Sequence, residues 1–206
     1  NKAIVYKKDF ADILKRKRKI VGYYGALAKW MDYDLLKYAA NACPDIEFVL
    51  IGKIYDESFE ESRISEIPNI HFIGSIPYKT LPSYAVHFDL CTIPFVVNRI
   101  TNATSPLKLF EYMALGKPIL TTKMRESSKY KSVITSSTYS NFTEKLTELL
   151  DYKKETHAQY FDLLKKEASE NSWTGKSRAI LEMLDKYETK ASAGRLNEGA
   201  VQKSPS

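Results

Sequence analysis

Residues 102–122, NATSPLKLFEYMALGKPILTT, run from a polar loop through an apolar-periodic segment into a short β-rich run, and this loop–helix–strand order decides the fold. Thr104 and Ser105 offer N-cap hydroxyls, and Pro106 brings the preset φ favoured at the first helical position. A helix is therefore predicted from here to Leu115, with Gly116 as its stop. On a helical projection Pro106, Leu107, Leu109, Phe110, Met113 and Ala114 fill one apolar arc, predicted to be core. Lys108, Glu111 and Tyr112 fall on the other side.

Outward from this helix, short apolar runs alternate with helical periodicity. Lys19–Tyr24 (KIVGYY), Ile46–Ile51 (IEFVLI), Ile70–Ile73, Leu90–Phe95, Pro118–Thr122 and Val133–Thr135 read as buried strands. Asp34–Cys43, Lys79–Val86, Phe142–Leu150, Tyr160–Ala168 and Asn171–Tyr187 read as helices, and 56–66 as a helix or an irregular loop. Short strands alternating with helices predict an α/β domain with a doubly wound parallel sheet, Rossmann-like, whose ligand binds outside the carboxyl ends of the strands.

At 206 residues and 44% apolar content, the chain suits one sizeable domain with tails. No apolar run is long enough to span a bilayer, and the start is not a signal peptide. Cys43 and Cys91 each fall inside a predicted core element, which argues against a disulfide framework and fits a reducing, cytoplasmic compartment. His71, His87 and His157 are scattered without ligand spacing, so no metal site is expected. The net charge of +6 and pI near 9.1 suit anionic ligands and equally describe a lysine-rich surface. With no arginine-rich run and no zinc-finger spacing, nucleic acid is not an expected partner.

The first amides of the helix at 105 lack internal partners and sit at the positive end of its dipole, a ready place for phosphate. Glu111 would lie roughly 8 Å further along the axis at about 1.5 Å per residue, close to the offset between a nucleotide's diphosphate and its ribose hydroxyls. A carboxylate accepts two hydrogen bonds at once, as a cis-diol requires, and Lys108 can neutralise phosphate from the same face. A solvated i,i+3 charge pair gives the same pattern. Gly25, ending the first strand, permits close backbone approach to a ligand, and Lys29 is the nearest cation after it. Arg99, in the loop before the helix, can also swing toward phosphate.

The core S-P-x-K-x-x-E-Y-M-A-x-G-K-P of this stretch resembles the donor-site segment of the group-1 family of retaining glycosyltransferases of the GT-B fold, and the resemblance spans roughly residues 20–187. It implies one half of a GT-B enzyme, acting on a nucleotide-diphosphate sugar without a separate cofactor. By resemblance, Glu111 holds the donor ribose, amides in the stretch from Thr104 and Ser105 through Leu107 and Lys108 hold the diphosphate, and the main chain near Ile76 reads the base. It also implies an interdomain segment over 1–18 with Phe10 as its aromatic and a donor-binding domain over 19–187, while the small, polar, aperiodic residues of 188–206 predict a disordered tail. The acceptor, a glycan or a lipid-linked molecule at the inner face of a membrane, would belong to an N-terminal domain missing from this chain. Two departures stand out: Ala103 replaces the first glutamate of the family's E-x7-E pattern, and Ala26 replaces an arginine after the first-strand glycine. A nucleotide-sugar-binding module without catalysis, and a nucleotide-sugar epimerase of the same architecture, remain open beside the transferase.

Overall fold

A computed structural model describes residues 6–104 and 107–172. Ser105, Pro106, all but the first two residues of the predicted helix 171–187 and the predicted tail 188–206 lie outside the described residues. Six strands, β1 (Lys19–Tyr24), β2 (Ile46–Ile51), β3 (Ile70–Gly74), β4 (Leu90–Ile93), β5 (Ile119–Thr122) and β6 (Val133–Ser136), form one sheet in the order β3-β2-β1-β4-β5-β6. Every neighbouring pair is parallel. The inner strands β4 and β5 are buried throughout, as is β1 after its first residue, whereas the edge strands β3 and β6 are half-buried at their middle residues. That difference is why the inner runs lack polar alternation.

The helices are α1 (Lys8–Lys15), α2 (Tyr33–Ala42), α3 (Ser58–Glu61), α4 (Leu81–Ala85), α5 (Arg99–Asn102), α6 (Leu107–Leu115), α7 (Tyr139–Leu150) and α8 (Ala158–Glu170). Helix α2 packs on α7, and α6 on α8. The crossover β1-α2-β2 moves one way along the sheet and β4-α6-β5 the other, so right-handed connections put α2 and α6 on opposite faces. The doubly wound parallel sheet expected from sequence is the one observed, and strand order reverses between β1 and β4.

Several boundaries differ for identifiable reasons. The fourth strand stops at Ile93 because Pro94 has no N–H to continue the ladder. The loop read before the donor helix contains α5, capped by Asn98, whose Oδ1 accepts from the N–H groups of Ile100 and Thr101 while Thr101 Oγ1 accepts from Asn98 N–H. The segment 56–66 resolves into α3 and a short 3₁₀ turn, Ile64–Glu66, anchored by buried Phe59 and Ile64. Within 1–18, α1 buries Phe10 and Ile13 in the common core, and the Phe10 ring packs on Tyr84 of α4 at 4.8 Å.

The largest difference lies on α6. Its buried residues are Leu109, Tyr112 and Met113, while Leu107 is 68% exposed and Ala114 is also exposed. Tyr112 was expected on the outer side. It is fully buried because its hydroxyl accepts the Tyr24 N–H at 3.0 Å, satisfying the one polar atom that opposed burial. Gly116 ends α6 at φ +63°, a region open to glycine at low cost, as its place in sequence predicted.

Candidate functional site

Three adjacent strands end in glycine at one edge of the sheet. The Gly25 N–H donates to Ile51 O at 2.8 Å and the Gly52 N–H to Gly74 O at 3.0 Å, so the turns after β1, β2 and β3 lie side by side. A Cβ on Gly52 would stand 1.8 Å from the Gly25 carbonyl oxygen. Gly25 itself has φ +146°, and a Cβ there would stand 2.0 Å from Lys108 Cε. The missing side chains make a low floor, and the Lys108 side chain lies across it.

Lys108 therefore reaches from α6 over the end of β1, with Nζ 5.9 Å from the centroid of the Tyr23 ring. Burial pushes its pKa below the ordinary 10.5, and the Glu111 carboxylate opposes that shift. Glu111, one turn further along the same face, is half-buried and accepts a hydrogen bond from Tyr78 Oη at 2.8 Å. The Tyr24 phenol flanks it from β1, its pKa driven upward by burial first and by Glu111 second.

These groups share one cleft of about 340 Å³, lined on its floor by Gly25, Gly52 and Lys53, on one wall by Ser75, Ile76 and Tyr78, and on the other by Leu107, Lys108 and Glu111. A second cleft of about 250 Å³ shares Tyr24, Tyr78, Leu81 and Glu111 and extends between α4 and α6. On the far side of Lys108, a third of about 450 Å³ runs along Trp30, Phe95, Ile100, Thr104 and Leu107.

Five residues singled out from sequence thus meet in the first cleft: Gly25, Ile76, Leu107, Lys108 and Glu111. Thr104 lines the third, its hydroxyl donating to Ile100 O at 3.0 Å to close α5. Ser105 lies outside the described residues. Lys29 and Arg99 do not line the first cleft. Lys29 is exposed, because Leu27 and Ala28 beside it take the inward positions and its own N–H donates to Asp56 Oδ2. Arg99 is exposed at the start of α5, whose inward residue is Thr101.

Lys53 supplies the second cation of the first cleft instead. Sequence reasoning missed it, although Gly52-Lys53 follows β2 as Gly25 follows β1, and parallel strands bring both turns to one edge. Tyr24 and Tyr78 were missed too, since nothing in their local spacing distinguishes a cleft tyrosine from a packed one.

Two ammonium groups beside a carboxylate that can grip a diol form a place for a polyanion carrying vicinal hydroxyls. Because burial lowers the Lys108 pKa, an anion bound against it raises that pKa and, near that pH, binding takes up a proton. Affinity for a phosphate-bearing ligand held against Lys108 is therefore expected to decline with rising pH, beginning below the ordinary lysine value of 10.5. Titration calorimetry across alkaline pH checks this, and Lys108→Met should both weaken binding and flatten the profile.

The sheet order, the glycine-floored cleft and the Lys108–Glu111 helix face coincide with a sequence match to the family described as Glycosyl transferases group 1, which covers residues 18–152. The chain belongs to this family. It is 32% identical over 113 residues to TuaH of Bacillus subtilis (strain 168), a glycosyltransferase assigned provisionally to teichuronic acid biosynthesis. That match covers 53% of this chain and 28% of TuaH.

The fold is similar to that of Anabaena Alr3699/HepE, solved in complex with UDP and glucose, with a TM-score of 0.64 at 16% identity over 88% of this chain and 53% of HepE. It is also similar to the α,α-trehalose 6-phosphate synthase of Burkholderia multivorans, with a TM-score of 0.63 at 12% identity over 90% of this chain and 47% of that one. The architecture is thus the Rossmann-like fold found in one half of GT-B proteins. The chain spans about a quarter of TuaH and about half of each of these two structures.

Proposed function

We propose that this chain is the donor-binding half of a retaining glycosyltransferase, which moves a sugar from a nucleotide-diphosphate sugar to a glycan or lipid-linked acceptor in polysaccharide biosynthesis. One observation carries the reading: a single cleft at the carboxyl ends of parallel strands holds Gly25 and Ile76 from separate turns beside Lys108 and Glu111 of α6. Open α/β sheets bind ligands at this edge. The group 1 family membership and the UDP complexes of HepE support the same ligand class.

In this reading the diphosphate lies over the glycine floor, between Lys53, Lys108 and the start of α6, with Thr104, Ser105 and Leu107 at that end. The ribose diol faces Glu111 and the base runs toward Ile76. Lys108 stabilises charge growing on the departing diphosphate, and its partial burial strengthens that interaction relative to water. In this reading the donor domain begins at residue 19, after a segment that leads to a further domain binding the acceptor. Among the described residues no helix is long and apolar enough to cross a membrane. A lipid-linked acceptor is proposed to be met at the inner face of a membrane.

Calorimetric titration of the chain with UDP, GDP and ADP tests the reading. At least one is expected to bind, and Glu111→Ala is expected to weaken it about 150-fold, the loss of two hydrogen bonds to a charged group at about 1.5 kcal/mol each. Binding unchanged in Glu111→Ala contradicts the proposal. Transfer by the full-length protein, with sugar nucleotide and acceptor supplied, separates an enzyme from a module that only binds.

A further inference from the structure

Tyr78 is 73% exposed, yet its ring does not stand free in solvent. It lines both the first and the second cleft, at the junction between them, and its hydroxyl donates to Glu111 Oε1 at 2.8 Å. The turn that carries it is held rigidly. The Pro77 carbonyl accepts three hydrogen bonds, from Thr80 N–H at 2.9 Å, Thr80 Oγ1 at 2.9 Å and Leu81 N–H at 3.1 Å, and the Pro77 ring fixes its own φ. Tyr78 is thus presented to α6 by a preorganised turn across 33 residues of sequence.

We propose that Tyr78 is a positioning residue for the ribose: its phenol orients the Glu111 carboxylate, and its ring closes the mouth of the cleft over the bound nucleoside. The role deepens the donor-site reading and rests on it. A carboxylate has about four acceptor sites, so a donation from Tyr78 to Oε1 leaves capacity for both hydroxyls of a diol while fixing the plane in which they must approach. An unanchored glutamate in the cleft would have to be ordered at the moment of binding, which costs side-chain entropy. Glu111 raises the pKa of the Tyr78 phenol above the ordinary 10.0, so it stays a donor at neutral and mildly alkaline pH. Tyr24, on the other flank of Glu111, is buried in the wall and its phenol also bears on the carboxylate, so Tyr78 is the exposed one of two phenols that hold it.

The test is calorimetric titration of the 206-residue chain with UDP, GDP and ADP, with the 2′,3′-dideoxy form of whichever binds, and with inorganic pyrophosphate. Tyr78→Phe keeps the ring and removes one hydroxyl from an exposed residue, so circular dichroism and melting temperature should match wild type. It is expected to weaken the ribonucleotide about tenfold, the size of one hydrogen bond to a charged group, and to leave the dideoxy form and pyrophosphate unchanged. Tyr78→Ala, which also removes the ring, should weaken the ribonucleotide further. Ribonucleotide affinity in Tyr78→Phe that is unchanged or tighter overturns the role, the tighter result meaning that the phenol competes with ribose for Glu111. Equal losses for ribonucleotide, dideoxynucleotide and pyrophosphate also overturn it. If no nucleotide binds wild type more tightly than pyrophosphate, the donor-site reading itself falls; if nucleotide binding depends on Glu111 and ignores Tyr78, only the present inference does.

Discussion

Gly52→Ala is expected to lower the stability of the domain by about 3 kcal/mol, in the upper range for forcing extra atoms into packed structure, and to remove nucleotide binding altogether. The added Cβ would lie 1.8 Å from the Gly25 carbonyl oxygen, an atom of the main chain that no rotamer change can move aside. Relief requires the turns after β1 and β2 to separate, which breaks the Gly25 N–H bond to Ile51 and tilts the floor on which Lys108 rests. A denaturant melt and a nucleotide titration on the same variant read the two effects. Gly116→Ala is the useful contrast: Gly116 has nothing within 4 Å of an added Cβ, so its cost is confined to its φ of +63° and the cleft should keep its affinity.

Glu47→Ala is expected to cost about 3 kcal/mol of stability while leaving the geometry of the cleft untouched. Glu47 is the second residue of β2, at the opposite end of the strand from Gly52, and its side chain is fully buried. Both its oxygens accept from Arg16 Nη1 at 3.1 Å, Arg18 Nη1 adds a contact at 3.4 Å and His71 Nε2 at 2.5 Å closes the cluster. Removing one partner of a buried pair costs about 3–5 kcal/mol, and the low end applies because Arg16 and Arg18 keep side chains 45% and 43% exposed to water.

Burial alone would raise the Glu47 pKa, but the hydrogen bonds from His71 and Arg16 outweigh it and hold it below the ordinary 4.5. A carboxyl whose folded pKa lies below its unfolded value gives stability that is fully present above the unfolded pKa and disappears as pH falls through the folded one. The stability difference between wild type and Glu47→Gln should therefore narrow below pH 4.5. Denaturation midpoints at neutral and acid pH check the sign.

The parallel sheet was legible because largely buried strands write themselves as mostly apolar runs followed by glycine, at Tyr24-Gly25, Ile51-Gly52 and Ile73-Gly74. Lys108 and Glu111 were legible because both sit on one helix, where spacing alone fixes their common face. Tyr112 was misread because helical periodicity sorts residues by polarity, and a tyrosine becomes a core residue once a distant N–H, here that of Tyr24, meets its hydroxyl. Lys53 and Tyr78 come from turns separated by more than twenty residues, and their meeting with Glu111 is set by sheet order, which no local pattern encodes. Lys29 was favoured by closeness in sequence to Gly25, but a turn that buries Leu27 and Ala28 sends the next side chain outward.

A crystal structure of the chain with a nucleoside diphosphate bound tests the central claim most directly. The account predicts ribose hydroxyls within about 3 Å of the Glu111 carboxylate and the diphosphate over Gly25 beside Lys108, at ordinary hydrogen-bonding distance. A nucleotide seated away from α6, or one whose ribose leaves Glu111 bonded only to protein, would contradict it.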